Sequence, residues 1–370
     1  MSRPTILEAR ALKRHFVTKQ PLFGEPTVVR AVDGVDLAVN DGETFAIVGE
    51  SGCGKSTLAR LLVRLIEPSE GEVLYQGRPI GALSESALRG LRAEMQFIFQ
   101  DPFSSLNPRM TVGALIEEPL RTHNIGTSKE RHAAVARILT RVGLRPEHAD
   151  RYPHEFSGGQ RQRIGIARAL VTGPRVLIGD EPVSALDVSI QAQVVNILED
   201  LKDEFGLTLI VIAHDLAVIR HMSDRVAVMY LGQVVETGPT EALFEAPKHP
   251  YTEALLAAIP IPAVGARKAR VAVEGDPPNP IAPPSGCRFH TRCPYATDRC
   301  RDEFPALRDI GGGRKAACHF TGELDLQGIQ PDATRRAEAA RRRFEIYGAA
   351  RAAMDTKTQP KAAQQRGEIS

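Results

Sequence analysis

The sequence predicts an α/β fold organised around a phosphate-binding loop, and three observations carry this prediction. Residues 49–57 fit the pattern G-x-x-x-x-G-K-[ST] without a mismatch. The apolar run at 44–48 before them is typical of a buried strand, and residues 55–66 after them have apolar side chains at helical spacing. Strand, glycine loop and helix are the order that a phosphate site requires. The loop consists of Gly49, Glu50, Ser51, Gly52, Cys53, Gly54, Lys55, Ser56 and Thr57.

The residue types in this loop suit a nucleotide phosphate. Glycines let the backbone turn its N–H groups inward around phosphate oxygens, and the helix that follows presents the positive end of its dipole. Lys55 supplies a charge for the outer phosphates, and Ser56 can bind Mg²⁺. The alternative is a glycine-rich turn that binds nothing, which the flanking strand and helix disfavour.

Composition narrows the protein class. The 370 residues are enough for one large nucleotide-binding domain and an appendage, and the net charge of +2 gives no field for nucleic acid. No run is long and apolar enough to span a bilayer. Glu8, Arg10 and Lys13 interrupt the first apolar residues, so we expect no secretory signal and a cytoplasmic protein.

Short apolar runs before the loop predict strands at 6–7, 28–29 and 35–39. Phe16 follows the first of them and could stack on adenine, although an ordinary core phenylalanine fits the spacing equally well. Further strands are predicted at 73–75 and 96–99. Gln100 follows the second, where its amide can reach Mg²⁺ or an attacking water.

Residues 111–150 turn helical, with one apolar stripe at 133–139, and predict an inserted helical subdomain. A helix predicted at 161–170 opens with a polar cap, which leaves free N–H groups at its positive end. This segment forms either a second anion site or a plain helix cap, and nothing nearby in sequence supplies a phosphate. Its residues are Ser157, Gly158, Gly159 and Gln160.

Two carboxylate side chains follow the strand predicted at 176–179. Asp180 suits Mg²⁺, and Glu181 is placed to act as a general base toward water. Asp187 precedes a helix predicted at 189–205. His214 ends the strand predicted at 209–213, where it either bonds a γ-phosphate or caps a helix.

These elements occur in the order typical of ABC-transporter ATPases, and the sequence resembles that family from about residue 12 to 319. Finer strings at 99–108, 152–160 and 249–252 resemble the oligopeptide/dipeptide permease branch. Phe156 stands where leucine is commoner, and Gly179 where a larger residue is usual. Both differences leave the polar site atoms in place.

The resemblance implies a P-loop NTPase ABC ATPase core with an inserted helical subdomain and an irregular C-terminal metal-binding extension. Residues 1–90 and 166–250 would form the RecA-like and antiparallel β core. Residues 91–165 would form the helical subdomain, 251–330 the extension and 331–370 a basic helical or disordered tail. In the tail, nine Lys/Arg stand against five Asp/Glu.

The resemblance also implies an ATPase that drives import of di- and oligopeptides from the cytoplasmic face of the membrane. A related ATPase subunit would complete a heterodimer in which Ser157 of one chain closes over ATP held by Lys55 of the other. Two membrane-spanning permease subunits and a solute-binding protein would be the further partners, and nucleic acid would not be one. A homodimer, import of nickel or another small solute, a soluble ABC ATPase and a nucleotide-binding redox regulator are the alternatives.

Four of the five cysteines lie in the extension, after a proline-rich connector at 260–286. Cys287, Cys293, Cys300 and Cys318 are six, seven and 18 positions apart. Zinc ligands usually come in closer pairs. The resemblance to the cluster-binding extension of peptide-permease ATPases favours [4Fe–4S] over Zn²⁺ or two disulfides. His290 and His319 are candidate ligands only for zinc, and Cys53 is a spectator.

Overall fold

The apolar runs of the sequence become strands of two β-sheets in the computed structural model. The structure describes residues 3–18, 26–101, 105–184, 186–213, 215–259 and 275–329. The strands are β1 (Thr5–Thr18), β2 (Thr27–Asn40), β3 (Thr44–Val48), β4 (Glu70–Tyr75), β5 (Arg78–Pro79), β6 (Met95–Ile98), β7 (Val176–Asp180), β8 (Thr208–Ile212), β9 (Arg225–Tyr230), β10 (Gln233–Pro239), β11 (Arg308–Gly311) and β12 (Arg314–Ala316).

Helices connect and cover these strands. They are α1 (Lys55–Leu62), α2 (Glu85–Glu94), α3 (Val112–Thr122), α4 (Ser128–Arg141), α5 (Gly158–Leu170), α6 (Val188–Phe205), α7 (Leu216–Met222), α8 (Thr240–Glu245), α9 (Pro250–Ala257) and α10 (Asp298–Asp302). Short 3-10 helices occupy Pro146–Asp150 and Pro153–Glu155. Among the helices of the described residues, none has the length and apolarity needed to cross a bilayer.

The larger sheet places the predicted site residues at one edge. Its strand order is β11-β12-β10-β9-β3-β8-β7-β6, and the stretch from β9 to β6 is parallel. Every residue of β3, β7 and β8 is buried, as expected for strands covered on both faces. The carboxyl ends of these strands therefore meet at one edge, where open α/β sheets bind ligands.

The smaller sheet is antiparallel, in the order β2-β1-β4-β5. Residues 28–29 and 35–39, which were predicted as two strands, lie in the single strand β2. Leu58, Leu61 and Leu62 of α1 are fully buried in the core that joins the two sheets. Each such side chain contributes roughly 1.5–3 kcal/mol of burial free energy. This packing fixes the helix that follows the phosphate loop.

Helix α1 is shorter than predicted, because it ends at Leu62 rather than Ile66. Arg64 adopts a left-handed φ of 56°. The Leu65 N–H then donates back to the Arg60 carbonyl at 2.9 Å, which closes the helix end. The other predicted helices are present: α4 covers the stripe at 133–139, and Thr127 with Glu130 forms its capping box.

The C-terminal extension is not wholly irregular, which corrects the prediction for residues 308–316. Strand β12 pairs antiparallel with β10, and β11 pairs with β12. The chain divides into a compact unit, Met1–Gly328, and a second unit, Ile329–Ser370. Most of the predicted connector at 260–286 and the tail at 331–370 lie outside the described residues.

Candidate functional site

The phosphate loop runs from the end of β3 into α1, and its glycines are required by close backbone approaches. Gly49 and Gly54 have φ values of 153° and 103°. A β-carbon on Gly49 would lie 2.1 Å from the Met229 carbonyl oxygen, and one on Gly54 would lie 2.0 Å from the Ala31 carbonyl oxygen. No side chain fits at either position, so the neighbouring backbone requires glycine at both.

Lys55 begins α1 and directs its ammonium into the loop. The side chain is buried, and Nζ donates to the carbonyl oxygens of Gly49 and Glu50 at 2.8 Å each. The loop leads into the N-terminus of α1, where the helix dipole also favours an anion. The loop therefore combines a cation and backbone donors at the carboxyl edge of the sheet.

Ser56 links the loop to the neighbouring strand end. Its Oγ donates to Oδ1 of Asp180 at 2.7 Å. Asp180 is 1% exposed, and burial raises the pKa of its carboxyl although the bond from Ser56 opposes that shift. A hydroxyl and a buried carboxylate are the oxygen donors that suit Mg²⁺, so both residues fit this ion.

Gln100 and Glu181 form the second contact at this edge. Gln100 Nε2 donates to Oε2 of Glu181 at 2.9 Å. Glu181 adopts a left-handed φ of 47°, and its N–H donates to the Ile212 carbonyl at 3.0 Å. Such a conformation is costly for glutamate and is held only where surrounding structure enforces it. The carboxylate is thus turned toward the edge that carries Asp180.

The unusual glycine before this acidic pair has a packing reason. A β-carbon on Gly179 would lie 3.0 Å from Cγ of Pro182. Gly179 is the fourth residue of the buried strand β7, so the proline after Glu181 occupies the space of a larger side chain. The departure from the commoner pattern is therefore local and leaves Asp180 in place.

Ser157 is the N-cap of α5, an arrangement that is compatible with both predicted roles of this segment. Its Oγ accepts from the Gln160 N–H at 3.4 Å, and Oε1 of Gln160 accepts from the Ser157 N–H at 3.1 Å. A β-carbon on Gly159 would lie 2.5 Å from Cγ2 of Ile190, so Gly159 passes close to α6. Across the described ranges, no hydrogen bond or ion pair joins Ser157–Gln160 to the phosphate loop.

The remaining predicted site residues are Phe16, Asp187 and His214. Phe16 lies on β1 and is 37% exposed, so it is not the core phenylalanine of the alternative prediction. The Arg14 guanidinium lies 4.6 Å from its ring centroid. Asp187 is exposed at the N-terminus of α6. His214 lies outside the described residues.

Comparison with known proteins decides the family. Residues 32–184 match the family model described as ABC transporter, and residues 235–300 match the model of the oligopeptide/dipeptide transporter C-terminal region. The oligopeptide transport ATP-binding protein AppF of Bacillus subtilis is 51% identical over 323 residues, which cover 86% of this chain and 98% of that protein. The chain belongs to the oligopeptide/dipeptide branch of the ABC-transporter ATP-binding subunits.

Further relatives agree with this assignment. The di/tripeptide transport ATP-binding protein DppF of Pseudomonas aeruginosa is 50% identical over 86% of this chain and 99% of that protein. A dimeric ATP-binding cassette in a post-hydrolysis state, bound to ADP and phosphate, is 29% identical with a TM-score of 0.57. That match covers 64% of this chain and 99% of the solved one. The chain has the ABC ATPase fold and, as a family member, is an ATPase.

The C-terminal region of this ABC subunit reaches the phosphate loop at Glu50, a contact that the motifs did not predict. Arg292 Nη1 and Nη2 donate to the two carboxylate oxygens of Glu50 at 2.8 and 3.0 Å. The Glu50 N–H donates to the Tyr251 hydroxyl at 2.9 Å. Tyr251 lies in one of the strings that resemble the permease branch, but no motif in the sequence connects Tyr251 or Arg292 with Glu50.

The four cysteines of the extension line one cavity, together with His290 and His319. All four cysteines are free thiols. Burial raises the pKa of Cys287 to about 11 and that of Cys293 to about 12, and the neighbouring cysteines add to both shifts. Within the part of the chain that the structure describes, no group of three or more His, Cys, Asp or Glu is arranged to hold a metal ion. The predicted cluster is therefore not confirmed.

Proposed function

We propose that this protein is the ATP-hydrolysing subunit of an importer for di- and oligopeptides. The carrying observation is the meeting of Ser56 with Asp180 and of Gln100 with Glu181 at one sheet edge. The names of relatives about half identical to this chain support the peptide substrate. The match of residues 235–300 to the transporter C-terminal region supports it further.

The residues divide the reaction between them. Lys55 and the loop N–H groups bind the outer phosphates of ATP, and Glu181 accepts a proton from the water that attacks the γ-phosphorus. Gln100 orients that water through the same amide that contacts Glu181. The P–O bond to ADP breaks, and ADP and phosphate leave. Phe16 would stack on adenine, and His214 would bond the γ-phosphate.

Mg²⁺ would be held by Ser56, Asp180 and Gln100, and it would neutralise charge on the outer phosphates. The fit rests on Ser56 and Asp180, whose oxygens are already 2.7 Å apart. Burial raises the pKa of the Asp180 carboxyl, so a cation here would also favour its ionised form.

A second ATPase subunit would complete the site. Ser157–Gln160 and Asp187 of one chain would close over ATP held by the other. The observation that supports this is that Ser157 and Gln160 bond within their own turn and present the α5 N-terminus outward. The dimer of the solved cassette supports pairing as such. We propose a heterodimer with a related chain.

Two permease subunits would receive this motion at the cytoplasmic face of the membrane, where the protein would lie peripherally. Residues 91–165 would form the helical subdomain that contacts them, near the loop at 103–108. Helices α3, α4 and α5, which follow β6, support that role. A solute-binding protein would deliver the peptide to the permease subunits.

We also propose that Cys287, Cys293, Cys300 and Cys318 hold a [4Fe–4S] cluster, with Zn²⁺ as the alternative. Four free thiols lining one cavity are the soft donors that both suit. The raised pKa values of Cys287 and Cys293 mean that a positive group would be needed to keep these two side chains as thiolates. The group would stabilise the extension. Protein purified anaerobically should contain iron, and Cys300→Ser should lose it. One equivalent of zinc without iron would contradict the [4Fe–4S] assignment.

Co-expression with candidate permease subunits tests the function. The complex should be captured from detergent extracts, and in proteoliposomes its ATPase rate should rise with peptide-loaded binding protein. Lys55→Ala is the control that should abolish both the basal and the stimulated rate. Stimulation by nickel but not by any peptide would contradict the peptide substrate. Absence of any captured membrane subunit would contradict the transport role.

A further inference from the structure

A partly buried ion pair joins the C-terminal extension to the phosphate loop. Arg292 meets both carboxylate oxygens of Glu50, and their side chains are 7% and 26% exposed. A planar guanidinium that bonds a carboxylate through two parallel N–H groups fixes direction as well as distance. The pair therefore holds the Glu50 side chain in one position relative to the extension.

Every polar group of Glu50 is engaged. Its N–H donates to the Tyr251 hydroxyl at 2.9 Å. Its carbonyl oxygen accepts from Lys55 Nζ at 2.8 Å and from the Cys53 N–H at 3.3 Å. The carboxylate that Arg292 holds and the carbonyl that meets Lys55 thus belong to the same residue. Displacing one changes the backbone that positions the phosphate-binding lysine.

Aromatic packing fixes the arginine in turn. The ring centroids of Tyr230 and Tyr251 are 4.6 Å apart, and each is 5.3 Å from that of Phe289 in the extension. Arg292 Nη1 also donates to the Tyr230 hydroxyl at 3.4 Å. All three rings are almost fully buried. The guanidinium is therefore presented from a rigid support, and its position does not depend on a flexible surface side chain.

Charge gives the pair a second consequence. Glu50 places a negative charge inside a loop that binds a polyanion. In a half-buried site, like charges repel more strongly than in water. Arg292 is the cation that meets this carboxylate directly, so the pair presents no net charge to the phosphates. Without the arginine, the loop would carry an uncompensated carboxylate next to them.

We propose that Arg292 is a positioning residue for ATP: it cancels the charge of Glu50 and fixes the backbone that holds Lys55. The inference rests on ATP binding at this loop, which the wild-type titration checks independently. It makes the extension part of the nucleotide site, in addition to any role in holding a cofactor.

Equilibrium titration of the full-length protein with a fluorescent ATP analogue, competed by ATP and by ADP, tests this. Arg292→Gln should weaken ATP binding about tenfold, the effect of roughly one unit of uncompensated charge at short range. The loss should be smaller for ADP, which carries less charge. Glu50→Gln should bind at least as tightly as wild type. The double variant E50Q/R292Q should recover most of the loss, and Arg292→Lys should lie between Arg292→Gln and wild type.

Arg314→Gln is the matched control, because Arg314 also joins the extension to the core through a buried carboxylate, that of Glu236, at 2.8 Å. It should lower thermal stability and leave ATP affinity within about twofold of wild type, since it does not contact the loop. The proposal is overturned if Arg292→Gln weakens ATP no more than Arg314→Gln does. It is equally overturned if E50Q/R292Q recovers nothing. Failure of wild type to bind ATP would instead refute ATP binding at the loop.

Discussion

Glu50 lies in the phosphate loop, and it is contacted both by other loop residues and by the C-terminal extension. The sequence encodes these two sets of contacts differently. The loop contacts come from residues a few positions apart, such as Lys55 and the Glu50 carbonyl. The extension contacts come from Tyr251 and Arg292, which lie about 200 and 240 positions further along the chain. A motif records the first kind of contact because its members must stay in sequence register. The second kind depends on the fold that brings two distant segments together.

The difference has an energetic side. At the loop, backbone carbonyls approach the glycines so closely that side chains are excluded. At the extension, anchoring relies on ion pairs with buried partners, such as Arg314 with Glu236. Steric exclusion tolerates no substitution, whereas an ion pair can be replaced at a measurable cost. Substitutions in the two regions should therefore fail in different ways.

The largest effect is expected from Gly54→Ala. The new β-carbon would meet the Ala31 carbonyl at 2.0 Å, and the residue would keep a φ of 103°. We expect ATP affinity to fall by more than about a hundredfold, because neither the backbone contact nor the strain can relax alone. Isothermal titration calorimetry measures this. Gly52→Ala is the control: its φ of 78° is similarly strained, but its β-carbon would meet nothing within 4 Å. Equal losses in both variants would show that strain alone governs the loop.

The next effect is expected at the extension. Arg314→Met leaves the fully buried carboxylate of Glu236 without its cation and should lower the free energy of unfolding by about 3 kcal/mol. Arg301→Met breaks an exposed pair with Asp298 and should cost about 0–1 kcal/mol. Urea denaturation of both variants measures the difference. Similar midpoints would mean that the extension is anchored mainly by packing.

A smaller effect concerns the junction between core and extension, where His249 is buried. Burial lowers the pKa of this imidazole to about 3, so the folded state binds fewer protons than the unfolded state between pH 6.5 and 3. Stability is therefore present above pH 6.5 and is lost as the pH falls toward 3. Between pH 7.5 and 5.5, we expect His249 to remove about 1.4 kcal/mol of unfolding free energy.

In the wild type, the Tyr251 N–H donates to His249 Nδ1 at 3.1 Å. His249→Asn keeps an acceptor for this N–H and removes the titrating imidazole. Its urea stability should fall less between these pH values than that of wild type. Because Glu236 is present in both proteins, its own titration cancels in the comparison. His132→Asn, on the exposed surface of α4, is the matched control for the loss of a histidine side chain. An unaltered slope in His249→Asn would contradict the buried neutral imidazole.

The sequence predicted the nucleotide edge more fully than the extension, for reasons visible at particular residues. Strand β7 ends in Asp180 because an apolar run must stop where polar groups begin, so its tip could be read directly. Nothing in the sequence indicates the left-handed backbone of Glu181, because glycine is the residue that usually adopts this conformation. Gly312 and Gly313 form the turn between β11, which ends at Gly311, and β12, and the sequence did not predict either strand. The Arg292–Glu50 pair is invisible without the fold.

The measurement that tests the account most directly is the paired ATP affinity and single-turnover rate of Glu181→Gln. The carboxylate is the predicted proton acceptor, and glutamine keeps the shape and the contact with Gln100. We predict ATP affinity within about threefold of wild type and a rate of hydrolysis lower by about 10²–10⁴-fold, the usual contribution of a general base. A variant that hydrolyses ATP at nearly the wild-type rate in the assembled complex would contradict the assignment of Glu181. It would also remove the reason for the left-handed turn that presents this side chain at the sheet edge.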